Sequence, residues 1–159
     1  MPGYDVVIKK IKPMQVASVR GVIPQPADQS SLWRQLATYL MQQHVRPSGT
    51  CFALYHDKEH KDRDWDIEVC EQINEDLPST KYVKVYDLPA VETMACVVHV
   101  GALATLGESY NGIRKWLDEN KYQIVGPCRE VSLREPSPAG NPNDPATVTE
   151  IQYPVEKVG

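Results

Sequence analysis

The chain of 159 residues carries 17 Lys and Arg against 21 Asp and Glu, with 42% hydrophobic residues. That length suits one domain, or two small fused halves, burying roughly 70% of the surface of the extended chain. A net charge of −4 argues against a sequence-independent nucleic-acid binder. No apolar run approaches the ~20 residues of a membrane span, and the start MPGYDVVIKKIKP lacks a signal-peptide core. Cys51, Cys70, Cys96 and Cys128 show no CxxC spacing, so a reduced, cytoplasmic protein is expected.

In chain order, residues 4–11 and 15–23 are rich in Val and Ile and read as two strands, broken by Lys12-Pro13. Pro24 to Asp28 reads as a loop, and Asp28 or Ser30 is placed to cap the helix after it. Leu32, Trp33, Leu36, Tyr39 and Leu40 then recur at helical spacing. Pro47-Ser48-Gly49 ends that segment. Strands are expected over 51–56 and 64–73, joined by an acidic loop. Residues 56–76 hold nine acids against three bases, and 57–64 reads as a solvated hairpin loop.

The pattern restarts after Pro78, with strands expected over 81–88 and 91–100. Leu106, Tyr110, Ile113 and Leu117 mark a second helix, with Asn120 as its stop. Residues 122–125 form a short extended lead-in to a strand over 128–134. The Pro-, Gly- and Asn-rich stretch 136–145 is a loop, and 147–155 is the last strand. The order is ββαββ, twice.

The duplication is visible in the residues. Leu32, Trp33, Leu36, Tyr39 and Leu40 match Ser109, Tyr110, Ile113, Trp116 and Leu117 at an offset of 77, which also carries Cys51 onto Cys128. Arg20-Gly21 matches Val100-Gly101 at 80, and Asp66 to Val69 matches Val148 to Ile151 at 82. Half-repeats of about 4–77 and 81–155, within one domain over 1–159, imply a pseudo-two-fold with a ligand cleft between the halves.

Three carboxylates fall inside strands: Glu68, Glu130 and Glu150. Alternation puts Glu130 with Cys128 and Ser132, and Glu150 with Val148 and Gln152. The repeat sets Glu68 and Glu150 at equivalent points. An acid in such a strand is costly to bury without a cationic partner, and a cationic ligand can supply one. The three Trp and eight Tyr against a single Phe favour rings with polar handles. Tyr55, Tyr110, Trp116 and Tyr153 are the rings expected beside the acids, where they would hold a flat cation by stacking. His99, on an apolar strand, reads as a hydrogen-bonded core histidine that also borders this lining. His56 and His60 have metal-ligand spacing but no third ligand, so no metal is expected. No motif for a cofactor is present.

These strings resemble a family. Val16-Ala17-Ser18-Val19-Arg20-Gly21, Asp66-Ile67-Glu68-Val69-Cys70, Val98-His99-Val100-Gly101, Gly126-Pro127-Cys128-Arg129-Glu130 and Thr149-Glu150-Ile151-Gln152-Tyr153-Pro154-Val155 are similar to the GyrI-like small-molecule-binding domain. It is the effector-binding domain of many bacterial MerR- and AraC-type multidrug-responsive regulators. The resemblance implies an α+β fold of two fused βαββ modules of the SHS2 type, with an antiparallel sheet, two helices and a central cleft for bulky aromatic, often cationic compounds. Glu130 matches the family's acid that meets the positive ligand, and Glu150 its other recurrent pocket carboxylate. Arg129 stands where the family often has Tyr or Phe.

The resemblance implies a sensor domain, in a longer regulator with its own DNA-binding domain or as a stand-alone drug-binding protein, without direct nucleic-acid or membrane contact. Two alternatives go with it. One is a cyclopropanoid hydrolase that detoxifies DNA-alkylating compounds, with Glu150 and Glu130 as its catalytic acids. The other is an interaction protein of the gyrase-inhibitor type.

Overall fold

The computed structural model describes residues 5–47, 49–59 and 61–159. Tyr4, at the start of the first expected strand, and His60, of the His-x-x-x-His pair, lie outside the described residues. The chain divides into two units, one spanning Lys12–Ala90 and the other combining the first strand with Val91–Gly159. This division cuts the chain elsewhere than the half-repeats of about 4–77 and 81–155 read from the sequence. The first strand belongs with the C-terminal half, and the strand after Pro78 with the N-terminal half.

The N-terminal unit contains β2 (Met14–Ile23), α1 (Ser30–Gln42), β3 (Cys51–Tyr55), β4 (Trp65–Gln72) and β5 (Lys84–Leu88). Its antiparallel order is β3-β4-β2-β5. Residues directly opposite across an antiparallel pair share a face. Ala17, Val19, Ala53, Ile67 and Val69 make one apolar face, and α1 covers it with Leu32, Leu36, Tyr39 and Leu40. Neither expected cap closes α1. Its N-cap is Gln29 with no side-chain cap, because the Asp28 carboxylate turns back to accept from the Gln25 N–H at 3.0 Å.

The other unit contains β1 (Val7–Ile11), β6 (Val91–Val100), α2 (Leu106–Glu119), β7 (Tyr122–Ile124), β8 (Cys128–Arg134) and β9 (Val148–Lys157). Its antiparallel order is β8-β9-β6-β1. This repeats the N-terminal order with β8, β9, β6 and β1 in the places of β3, β4, β2 and β5. The 122–125 segment is a strand of its own, pairing with the far end of β9. Buried Ile113 and Leu117 of α2 meet a face made by Val97, Ile151 and Tyr153. Asn120 is the C-cap of α2, but Lys121 beyond it takes the left-handed turn, at φ 59°. The fold is the α+β class expected, with antiparallel strands and two helices.

The acidic loop differs in part from a purely solvated one. Glu59 is exposed, whereas the Asp57 carboxylate is largely enclosed and accepts from the Asp66 N–H at 2.7 Å and pairs with Lys61 at 2.8 Å. Asp57 thus closes the hairpin rather than decorating it.

Candidate functional site

In the Val91–Gly159 unit, Glu130 stands opposite Ile151 on β9, so it faces α2. From α2, the Tyr110 hydroxyl donates to the Glu130 carboxylate and lies 3.5 Å from the Cys128 sulfur. The Tyr110 and Tyr153 rings meet edge to face, with centroids 6.2 Å apart and planes at 76°. This is the geometry that aromatic quadrupoles prefer. Arg114, one turn after Tyr110, donates from Nη2 to the Tyr153 hydroxyl at 3.2 Å, and its guanidinium carbon lies 5.5 Å from the Tyr110 ring centroid. One carboxylate, two phenol rings and one guanidinium therefore converge between β8, β9 and α2. Sequence reasoning named Glu130, Tyr110 and Tyr153 but missed Arg114. Its i,i+4 spacing from Tyr110 was the available signal.

Burial sets the protonation of this group. It pushes the Tyr153 phenol up to about 12, so the ring keeps its proton at neutral pH. Burial, reinforced by Glu130, pushes the Cys128 thiol up to about 12 as well. Burial, reinforced by Glu150, does the same for Cys96. No disulfide joins the four cysteines, and Cys51 alone is not buried. Since the thiolate is the nucleophile, Cys96 and Cys128 are unreactive in the folded chain. A thiol reagent is expected to label Cys51 first in the native protein and all four cysteines after denaturation. Peptide mass mapping checks this, and rapid native labelling of Cys128 would contradict it.

Glu150 stands opposite Val131 and Val98, on the face of the sheet turned away from α2. The expectation that Glu130 and Glu150 share one lining is therefore corrected. Glu130 opposes Ile151, one residue out of phase with Glu150, and strand alternation separates the two faces. Glu150 accepts from the Lys9 ammonium at 3.1 and 3.2 Å and from the Gln152 amide at 2.5 Å.

Glu68 occupies the same place in the N-terminal unit, opposite Arg20 and Leu54. It is 4% exposed. Its carboxylate takes the Tyr86 hydroxyl at 2.6 Å and His56 Nε2 at 2.8 Å. An ionised carboxylate only accepts, so His56 carries the proton on Nε2. Tyr86 pairs with Val16, four residues before Arg20, and Lys9 pairs with Met94, four before Val98. Each unit thus ties this Glu to the equivalent position of its edge strand, by a phenol in one and an ammonium in the other. The pairing sets Arg20 against Val98, an offset of 78 rather than 80. The position equivalent to Glu130 is Ala53, so the N-terminal unit has no second copy of that acid.

The remaining candidates are engaged elsewhere. His99 bonds Ser109 Oγ through Nδ1 at 2.6 Å and Thr105 Oγ1 through Nε2 at 2.9 Å, which latches β6 to the start of α2. Trp116 stacks on Tyr122, with centroids 5.6 Å apart. Tyr55 lies on the α1 side of β3, opposite Ile67, and its hydroxyl accepts from Gln29 at 3.3 Å. Gln29 in turn accepts from the Trp33 indole at 2.8 Å. A groove of about 620 Å³ runs along the outer side of α1, between Arg34, Thr38 and Tyr82, and contains none of the three strand carboxylates. Among the described residues no cluster of three potential metal ligands forms, and no helix is long and apolar enough to cross a membrane.

No curated protein sequence matches the chain. Among solved structures it is similar to EcmrR in a cryo-EM complex with DNA, with a TM-score of 0.85 and 28% identity over 98% of this chain. This chain spans 58% of that EcmrR chain. The isolated C-terminal domain of EcmrR is matched over 98% of this chain and 99% of its own, with a TM-score of 0.79 and 29% identity. SAV2435 bound to tetraphenylphosphonium shares the fold at a TM-score of 0.57 and 11% identity, over 96% of this chain and 94% of its own. With the GyrI-like small molecule binding domain model matching residues 4–156, the chain belongs to that family.

Proposed function

We propose that this chain binds bulky aromatic cations through Glu130, Tyr110 and Tyr153, as the effector-binding domain of a transcription regulator or as a stand-alone drug-binding protein. The observation that carries the reading is the Glu130 carboxylate set among phenol rings on the α2 side of the sheet. A carboxylate supplies the charge that a lipophilic cation seeks, and the ring faces add cation–π attraction. The likeness to SAV2435, solved with tetraphenylphosphonium, supports the choice of cation, and the likeness to EcmrR, solved with DNA, supports the regulatory setting. Glu68, Glu150, His99 and Trp116 serve the scaffold in this reading, since their contacts lie outside the Glu130, Tyr110 and Tyr153 group.

Calorimetric titration with tetraphenylphosphonium tests the proposal. Saturable binding of one cation per chain is the expected outcome. Absence of heat, together with unchanged tryptophan and tyrosine fluorescence up to millimolar ligand, would overturn it.

A further inference from the structure

Arg114 is a cation already seated on the rings that a cationic ligand would use. Its guanidinium carbon is 5.5 Å from the Tyr110 centroid, inside the ~6 Å range of cation–π attraction. Its Nη2 donates to the Tyr153 hydroxyl, which keeps its own proton and offers only its oxygen to that contact. Tyr110 meanwhile commits its hydroxyl proton to Glu130. Among the described residues Arg114 makes no ion pair, so its partners are the two phenols. The residue is exposed and reaches the two phenols on a long, flexible stem. It can leave for water at little cost.

We infer that Arg114 is a resident cation and a specificity-determining residue of the Glu130 site: an aromatic cation binds by displacing its guanidinium from Tyr110 and Tyr153. The inference rests on the proposed function above. Displacement exchanges one cation for another on the two rings, so the cation–π gain nearly cancels. Selection then falls on apolar surface. A cation with several rings offers burial that Arg114 does not, whereas a small ammonium ion offers no more than the guanidinium it replaces. Arg114 thereby converts a site that attracts any cation into one that selects bulky aromatic ones.

The Arg114→Met variant keeps an unbranched apolar side chain and removes the charge. Calorimetry with tetraphenylphosphonium and with tetramethylammonium, on the full chain, is the test. Arg114→Met should bind tetraphenylphosphonium about 10-fold more tightly, because the resident cation–π contact no longer competes. It should also gain measurable affinity for tetramethylammonium. Arg114→Lys, which keeps charge without the planar fork, should fall between the two and serves if Arg114→Met does not fold. Unchanged or weaker binding of both cations by these variants, while Glu130→Gln still weakens tetraphenylphosphonium binding to the parent, would overturn the role of Arg114 alone. Loss of any Glu130 effect would overturn the underlying site and the inference with it.

Discussion

The Glu130→Gln variant is expected to bind tetraphenylphosphonium about 10- to 150-fold more weakly than the parent chain. The substitution preserves shape and one acceptor oxygen while removing the charge. A hydrogen-bonded or ionic contact to a charged group in a partly desolvated site contributes roughly 1.5–3 kcal/mol, which converts to that range of affinity. Tyr110 can still donate to the Gln oxygen, so the ring that Glu130 orients keeps its place. A neutral compound of similar shape, such as triphenylphosphine oxide, should lose less than about threefold, since stacking and apolar burial remain. Glu150→Gln and Glu59→Gln are the controls. Glu150 lies on the opposite face and is held by Lys9, and Glu59 is exposed in the loop. Both should leave tetraphenylphosphonium affinity within about threefold. Equal losses for the cation and the neutral compound would show that Glu130 acts on structure rather than charge. A full loss in Glu150→Gln would move the site to the other face.

Glu130 was legible because its signal is local. Period-2 alternation in a single strand places it with Cys128 and turns Arg129 away, and the register agrees, setting Arg129 opposite Gln152. Tyr110 was legible for the same reason, from helical periodicity alone. The partners of Glu68 and Glu150 were not. Lys9 reaches Glu150 across 141 residues, because β1 pairs with β6 rather than with its neighbour β2. No periodicity encodes which edge strand joins which sheet. The repeat also misled at one point, where Gly21 and Gly101 suggested an offset of 80. Gly21 lies within β2, opposite Ile67, with Leu32 Cδ2 3.1 Å from where a Cβ would sit. Gly101 follows β6 at φ +151°, a conformation that side chains oppose. The two glycines answer different demands, close packing in one case and backbone conformation in the other.

Acid is expected to weaken the N-terminal unit through Glu68. Burial by itself would raise this carboxyl, but hydrogen bonds from His56, Tyr86 and Ser18 outweigh it and hold the group at about 2, below its ordinary 4.5. A group lowered on folding contributes stability above its unfolded value, and that stability is lost as pH falls towards its folded value. The window is therefore about pH 5 down to about pH 2. At 1.36 kcal/mol per unit, the shift corresponds to roughly 3 kcal/mol at neutral pH and roughly 1 kcal/mol at pH 3. Glu68→Gln removes the charge that the three donors surround, and should cost about 2–4 kcal/mol at pH 7. Urea denaturation of parent and variant at pH 7 and pH 3 measures the difference. The gap between them should shrink by about 2 kcal/mol at the lower pH, because the parent alone loses the Glu68 contribution. An equal gap at both pH values would mean that packing, and not the ionised carboxylate, is what Glu68 provides. Tyr86→Phe gives the finer check. It removes one donor and leaves the carboxylate buried, so it should raise the Glu68 value and move the acid transition to higher pH, while a purely steric role for Tyr86 would leave that transition where it was.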